Sequence, residues 1–126
     1  IVAVGYNSSK KGFFTPQTRS DIIKDAVAHL SNVEVCSYSG LTIDACREHG
    51  ASHIIRGLRT TADFEMESVI AQANTKLAPE ISTVFIPAYG EYSFVSSTIV
   101  RDLLIHKGDA SQFLPKGVDI SKFING

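Results

Sequence analysis

Two arginines, Arg56 and Arg59, are the residues of this chain whose type and spacing best suit chemistry. The planar guanidinium group of arginine binds phosphate oxygens through paired hydrogen bonds. Gly57, which lies between them, allows a ligand to approach the backbone closely. Because the block follows a predicted strand, and parallel sheets bind ligands at the carboxyl ends of their strands, it predicts a phosphate-binding loop. A solvated turn with surface arginines is the alternative interpretation.

Two further segments are suited to anions. Lys10 and Lys11 follow the first predicted strand and could reach an anionic ligand as point charges, although surface loops commonly carry lysine. Ser96, Ser97 and Thr98 begin a predicted helix, whose unpaired N–H groups and positive dipole end can hold a phosphate. A plain helix cap would use the same hydroxyl residues.

Acidic residues and histidines are less informative. Asp63 lies in the first turn of the longest predicted helix, where it complements the dipole, and Glu67 one turn later could face a site or solvent. The four histidines lack metal-ligand spacing, so we assign no residue to a metal centre. No P-loop, dinucleotide-binding glycine pattern or nucleophile–base pair is visible.

Alternating strands and helices must position these residues. Short apolar runs predict strands at residues 1–6, 33–38, 52–55 and 83–86. Helical spacing and capping residues predict helices at residues 16–30, 41–48, 63–77 and 97–106, with a last short helix near the end. This order favours an α/β fold with a parallel sheet covered by helices on both faces. Continuous apolar strands indicate that both faces are buried.

Composition limits the function further. With 126 residues the chain has the size of one domain, and its formal charge of −1 argues against a protein that coats nucleic acid. No apolar run approaches the ~20 residues of a membrane span. Cys36 and Cys46 do not form a disulfide framework and are expected to be buried thiols. We therefore expect a cytoplasmic protein that interacts with neither nucleic acid nor membrane.

The chain resembles the bacterial phosphopantetheine adenylyltransferases in the order and spacing of its motifs, at residues 9–15, 55–59, 63–65, 93–98 and 108–115. The Arg-Gly-Leu-Arg block with Asp-Phe-Glu is the most specific part, whereas the Ser-Ser-Thr helix start occurs more widely in the superfamily. The resemblance implies a Rossmann-like fold, a single nucleotidyltransferase domain and a homohexamer. It also implies transfer of AMP from ATP to 4′-phosphopantetheine with Mg²⁺, giving dephospho-coenzyme A and pyrophosphate. Coenzyme A is expected as a product-type ligand.

The resemblance also implies roles for individual residues. Lys10 and Arg56 would contact the phosphate of phosphopantetheine, and Thr42 would border its pantetheine arm. The ATP site would be formed by Gly57, Leu58, Arg59, Glu67, Tyr92, Ser93, Phe94, Val95, Ser96, Ser97 and Thr98. Of these, Arg59 and Ser97 are expected to be catalytic.

One departure from the family pattern concerns its H-x-G-H motif, to which no segment of this sequence corresponds. We therefore expect the chain to match the larger, C-terminal part of such an enzyme, with the first strand and helix missing. Two alternatives remain open. One is another nucleotidyltransferase, such as a nicotinamide mononucleotide adenylyltransferase, against which the lysine and arginine pairs argue. The other is a non-catalytic module that binds coenzyme A or a nucleotide.

Overall fold

The computed structural model describes residues 1–124 and divides the chain into two compact units. One unit combines residues 1–40 with the chain from residue 96 onward, and the other comprises Leu41–Val95. The elements are β1 (Val2–Gly5), α1 (Pro16–Val27), β2 (Val35–Tyr38), α2 (Thr42–Glu48), β3 (His53–Leu58), α3 (Thr61–Leu77), β4 (Ser82–Pro87), α4 (Ser97–Ile105) and α5 (Ser121–Ile124). Two short 3-10 helices lie at Gly90–Tyr92 and Ser111–Phe113.

In the first unit, β1 and β2 form a parallel pair in which Val2 lies opposite Val35 and Gly5 opposite Tyr38. Parallel neighbours need a crossover connection, and α1 supplies it and packs on both strands. Helix α1 begins as predicted, because the Thr15 hydroxyl accepts a hydrogen bond from the backbone N–H of Thr18 at 3.1 Å. The same cap geometry begins α4, where Ser96 accepts from the N–H of Ile99 at 3.3 Å.

In the second unit, β3 and β4 form another parallel pair, and α3 connects them and packs on both. Its core consists of Ile43, Cys46, Ala78 and Ile81. Parallel strands joined through helices confirm the α/β class.

Strand β3 is longer than the sequence predicted. We expected it to end at residue 55 and to release Arg56 and Gly57 into a loop, but both belong to the strand, which continues to Leu58. The reason is the length of β4, whose residues pair with β3 up to Leu58 opposite Pro87. Since side chains alternate along a strand, the Arg56 side chain lies on the face opposite to the one that a side chain at position 57 would occupy.

The expectation that the strands are buried on both faces is wrong for the β3–β4 pair. The side chains of Ile55, Val84 and Ile86 remain 67%, 44% and 53% exposed. Helix α3 packs on these strands, and the alternation along a pleated strand sends every second side chain away from the face it covers.

Both cysteines are free thiols, as expected, but only Cys46 is buried, while Cys36 is half-buried. Burial raises the pKa of the Cys46 thiol above its ordinary value. Within residues 1–124, no helix has the length and apolar character that crossing a membrane requires.

Candidate functional site

The centre of the candidate site is a paired contact between Arg56 on β3 and Glu67 on α3. The Nε of Arg56 donates to Oε2 of Glu67 at 3.0 Å, and Nη2 donates to Oε1 at 2.6 Å. The Glu67 residue is only 8% exposed, whereas the Arg56 side chain is 53% exposed. The carboxylate therefore fixes the plane of a guanidinium group that still reaches solvent.

A cavity of about 180 Å³ adjoins this ion pair. Its lining combines the ion pair with the polar side chains of Thr42, Asn74 and Thr83, and with three apolar residues, Ile54, Ile70 and Ala71. The structure thus brings Thr42 and Arg56, which the resemblance assigned to phosphopantetheine, together with Glu67, which it assigned to ATP. A guanidinium group beside a recess of mixed polar and apolar lining suits a ligand with an anionic end and an uncharged arm.

Asn74 was not among the residues singled out from the sequence, although a signal for it exists. Glu67, Ile70, Ala71 and Asn74 follow the spacing i, i+3, i+4, i+7, so they share one face of α3. Once Glu67 is known to face the cavity, this periodicity also places Asn74 there.

The second arginine, Arg59, is held by Asp63. Oδ2 of Asp63 accepts the backbone N–H of Arg59 at 3.0 Å and lies 3.4 Å from its Nε. Thr60 caps α3, because its hydroxyl accepts the backbone N–H of Asp63 at 3.1 Å. The hydrogen bond from the Arg59 N–H, supported by the Arg59 charge and by Thr60, lowers the pKa of the Asp63 carboxyl despite some desolvation. Because Thr60 is the cap, helix α3 starts at Thr61, two residues before the predicted start at Asp63.

Arg59 also contacts the segment that the resemblance assigned to ATP. Its Nη1 donates to the carbonyl oxygen of Val95 at 3.4 Å. Before that residue, the hydroxyl of Ser93 donates to the carbonyl oxygen of Gly90 at 2.9 Å and closes the short 3-10 turn. Tyr92 and Phe94 are 63% and 56% exposed, so their rings present apolar surface at the end of this unit's chain.

The other residues assigned from the sequence belong to the first unit. Lys10 is exposed and ends a turn in which its backbone N–H donates to the carbonyl oxygen of Asn7 at 3.0 Å. Ser96 is the N-cap of α4, and Ser97 and Thr98 occupy its first two helical positions. A hydroxyl-rich helix start is therefore present where it was predicted.

The second unit thus joins Thr42, Arg56 and Glu67 in one cavity and connects Arg59 to Val95, while Lys10 and residues 96–98 belong to the first unit. A larger, more open cavity of about 340 Å³ is lined partly by Phe64 and Phe85, and none of the assigned residues lines it. Within the described part of the chain, no group of three or more histidine, cysteine, aspartate or glutamate residues could hold a metal ion.

Comparison with known proteins gives a consistent result. Residues 1–103 match the family model described as cytidylyltransferase-like. A phosphopantetheine adenylyltransferase from Heliobacterium modesticaldum is 46% identical over 118 residues, which cover 94% of this chain and 70% of that protein. Those from Actinobacillus succinogenes and Haemophilus influenzae are 45% and 42% identical over the same share of this chain, covering 73% and 76% of their own lengths.

Proposed function

The chain belongs to the phosphopantetheine adenylyltransferase family of nucleotidyltransferases. From this membership we propose that its site catalyses a reaction between ATP and 4′-phosphopantetheine. AMP is transferred to the phosphate of phosphopantetheine, which yields dephospho-coenzyme A and pyrophosphate, a step of coenzyme A biosynthesis.

The observation that supports this assignment best is the cavity beside Arg56. Phosphopantetheine carries a phosphate at one end and a long uncharged arm at the other. The guanidinium group of Arg56 is suited to the phosphate, and the recess formed by Ile54, Ile70 and Ala71 is suited to the arm. Thr42 and Asn74 supply polar groups for an arm that contains amides.

The reaction requires little covalent chemistry from the protein. An oxygen of the phosphopantetheine phosphate forms a bond to the α-phosphorus of ATP, and the bond from that phosphorus to the bridging oxygen of the β-phosphate breaks. The departing electron pair leaves with pyrophosphate. Because the attacking phosphate is already ionised, no general base is needed. The protein must instead align two anions and stabilise the developing charge, and we assign these roles to Arg56 and Arg59.

The remaining assignments rest on the resemblance. Lys10 is proposed to contact the phosphate of phosphopantetheine, and Gly57, Leu58 and residues 92–98 to line the ATP site. Glu67 was expected at the ATP site from the resemblance, but its ion pair with Arg56 supports a role at the phosphopantetheine phosphate instead. Arg59 and Ser97 are proposed to be catalytic, by donating hydrogen bonds to phosphate oxygens during the transfer.

We also propose that the enzyme uses Mg²⁺, works in the cytoplasm as a homohexamer and binds coenzyme A as a product-type ligand. Enzymes of phosphate chemistry commonly hold Mg²⁺ through substrate phosphates and few protein groups. Such an ion would arrive with the ATP phosphates and neutralise part of their charge.

The test is an assay of pyrophosphate release by the natural full-length protein. Turnover is expected with ATP and 4′-phosphopantetheine, with dephospho-coenzyme A identified by mass spectrometry. Nicotinamide mononucleotide should not replace phosphopantetheine. Turnover with nicotinamide mononucleotide alone would contradict the proposal, and binding of coenzyme A without turnover would favour the non-catalytic module.

A further inference from the structure

Two carboxylates on one face of α3 each hold one arginine of the preceding strand and turn. Asp63 and Glu67 are four residues apart, so they lie on the same side of the helix, one turn from each other. Asp63 contacts Arg59, and Glu67 contacts Arg56. The helix therefore presents one acidic group to each of the two cations expected to bind different substrates.

We propose that Glu67 is a positioning residue for phosphopantetheine, which acts by orienting the guanidinium group of Arg56, and that Asp63 does the same for ATP through Arg59. This inference rests on the proposed function and goes beyond it by assigning the two carboxylates to different substrates.

The geometry of the Glu67 contact carries the first half of this inference. Both carboxylate oxygens accept hydrogen bonds, at 2.6 and 3.0 Å, from Nη2 and Nε of the same guanidinium group. Such a paired contact fixes both the distance and the plane of the arginine fork. Glu67 itself is buried, so its carboxylate faces Arg56 and not open solvent.

The surroundings of Arg56 support an orienting role. The arginine side chain is half-exposed and borders the cavity that also contains Thr42 and Asn74. A long side chain at such a surface would otherwise sample several rotamers, and the binding of a phosphate would have to order it. Glu67 removes that requirement before the ligand arrives.

The contact of Asp63 is different in kind. It joins one carboxylate oxygen to the backbone N–H of Arg59 and to its Nε, and so holds the turn between β3 and α3 as well as the side chain. Because Arg59 also donates to the carbonyl oxygen of Val95, a change in the position of this turn should also affect the position of the segment assigned to ATP.

The experiment compares Glu67→Gln and Asp63→Asn in the natural full-length enzyme, with KM and kcat measured for both substrates. Glu67→Gln keeps one acceptor oxygen but replaces the other by an amide donor that cannot accept from the guanidinium group. It should raise KM for phosphopantetheine about tenfold and change KM for ATP little, because charge-assisted hydrogen bonds are worth that much. Asp63→Asn should show the opposite preference.

A matched control and a coupled variant separate positioning from a structural role. Glu65→Gln removes the same charge from α3 on a different side of the helix and should leave both KM values unchanged. In an Arg56→Lys background, which lacks the planar fork, Glu67→Gln should add little further loss, because it acts through Arg56. Glu67→Asp retains both carboxylate oxygens on a shorter side chain, so its KM for phosphopantetheine should lie between those of the wild type and Glu67→Gln. If Glu67→Gln does not fold, Glu67→Asp takes its place in both comparisons.

Several outcomes would overturn the inference. A larger effect of Glu67→Gln on ATP than on phosphopantetheine would mean that Glu67 contacts ATP directly. Equal loss in the wild-type and Arg56→Lys backgrounds would mean that Glu67 does not act through Arg56. If the wild-type enzyme does not transfer AMP to phosphopantetheine, the proposed function fails first; if it does and KM is unchanged in Glu67→Gln, only this inference fails.

Discussion

At the scale of single residues, the two arginines differ in what holds them and therefore in what they are expected to do. Arg56 lies in a strand, is fixed through its side chain by Glu67 and borders a cavity. Arg59 follows the strand, is held partly through its backbone N–H and reaches Val95. A cation beside a recess suits one end of a long substrate, and a cation in a turn suits a polyphosphate.

Arg56→Ala should raise KM for phosphopantetheine by about 10- to 100-fold and KM for ATP much less, since it removes a charge-assisted contact to one substrate. Arg59→Ala should do the reverse. Steady-state kinetics with each substrate varied in turn measures both. Because Arg56→Ala leaves the buried Glu67 carboxylate without this partner, thermal unfolding should accompany the kinetics. Equal loss for both substrates in Arg56→Ala would contradict its assignment.

Gly57→Ala tests whether ATP lies against the backbone at this position. A Cβ added to Gly57 meets no atom of the protein within 4 Å, so the fold itself does not require glycine there. The stability of the variant should be unchanged or higher by up to about 1 kcal/mol, as measured by urea unfolding. KM for ATP should nevertheless rise severalfold, because the methyl group would occupy space that the ligand is expected to use. An unchanged KM for ATP would place the nucleotide elsewhere.

At the scale of elements, helix α3 performs several tasks with separate faces. One face contributes Glu67, Ile70, Ala71 and Asn74 to the cavity, and its first turn holds Arg59. The helix must begin at a defined residue for these faces to meet β3 correctly, and the Thr60 cap sets that beginning.

Thr60→Ala should cost about 0.5–2 kcal/mol of unfolding free energy, because it removes the acceptor for the backbone N–H of Asp63. Thr60→Ser keeps the hydroxyl and should recover most of the loss. Urea unfolding of the three proteins measures this directly. A Thr60→Ala protein as stable as the wild type would show that the cap is dispensable.

Asp63 should also make the stability of the protein depend on pH. Its pKa in the folded protein lies below the ordinary value of 3.8, so the ionised carboxylate stabilises the fold above that pH. This contribution is lost as the pH falls through the lowered pKa, because the protonated acid has no charge and accepts only a weaker hydrogen bond from Arg59. Asp63→Asn should therefore lose less thermal stability than the wild type between pH 6 and pH 3. Parallel losses in the two proteins would contradict this account.

At the scale of the whole molecule, exposed apolar side chains remain on α3 after the chain has folded. Met66, Val69 and Leu77 are 60%, 66% and 59% exposed, and with Ala73 they form a stripe distinct from the cavity face. Large exposed apolar stripes often mark protein–protein contacts, which agrees with the proposed hexamer.

Sedimentation velocity of the natural protein should show a hexamer, and Val69→Glu should weaken its assembly, because a charge would enter an apolar contact. Thr75→Glu places the same charge on the other side of α3 and is the control. A monomeric wild-type protein would contradict the proposed assembly. A hexamer that persists in Val69→Glu would place the contacts elsewhere.

Much of this organisation can be read from the sequence, because it depends on local patterns. The capping residues Thr15 and Ser96 begin helices as predicted, since a cap depends on residues only three positions apart. The order of strands and helices was also predicted, because apolar periodicity is a local property. The interpretation of the Arg56–Arg59 block as a phosphate site rests on residue type and on its place after a strand, and it stays a prediction.

Only the tertiary structure decided the features that join distant parts of the chain. The end of β3 depends on its pairing with β4, so Arg56 and Gly57 are in a strand and not in the predicted loop. The side of α3 that faces the cavity depends on how the helix packs, and this determines that Glu67 is buried against Arg56 and that Asn74 contributes to the lining. Residue types and spacing thus determined which chemistry the chain can perform. Pairing and packing, which act between residues far apart in sequence, decided which side chains meet to perform it.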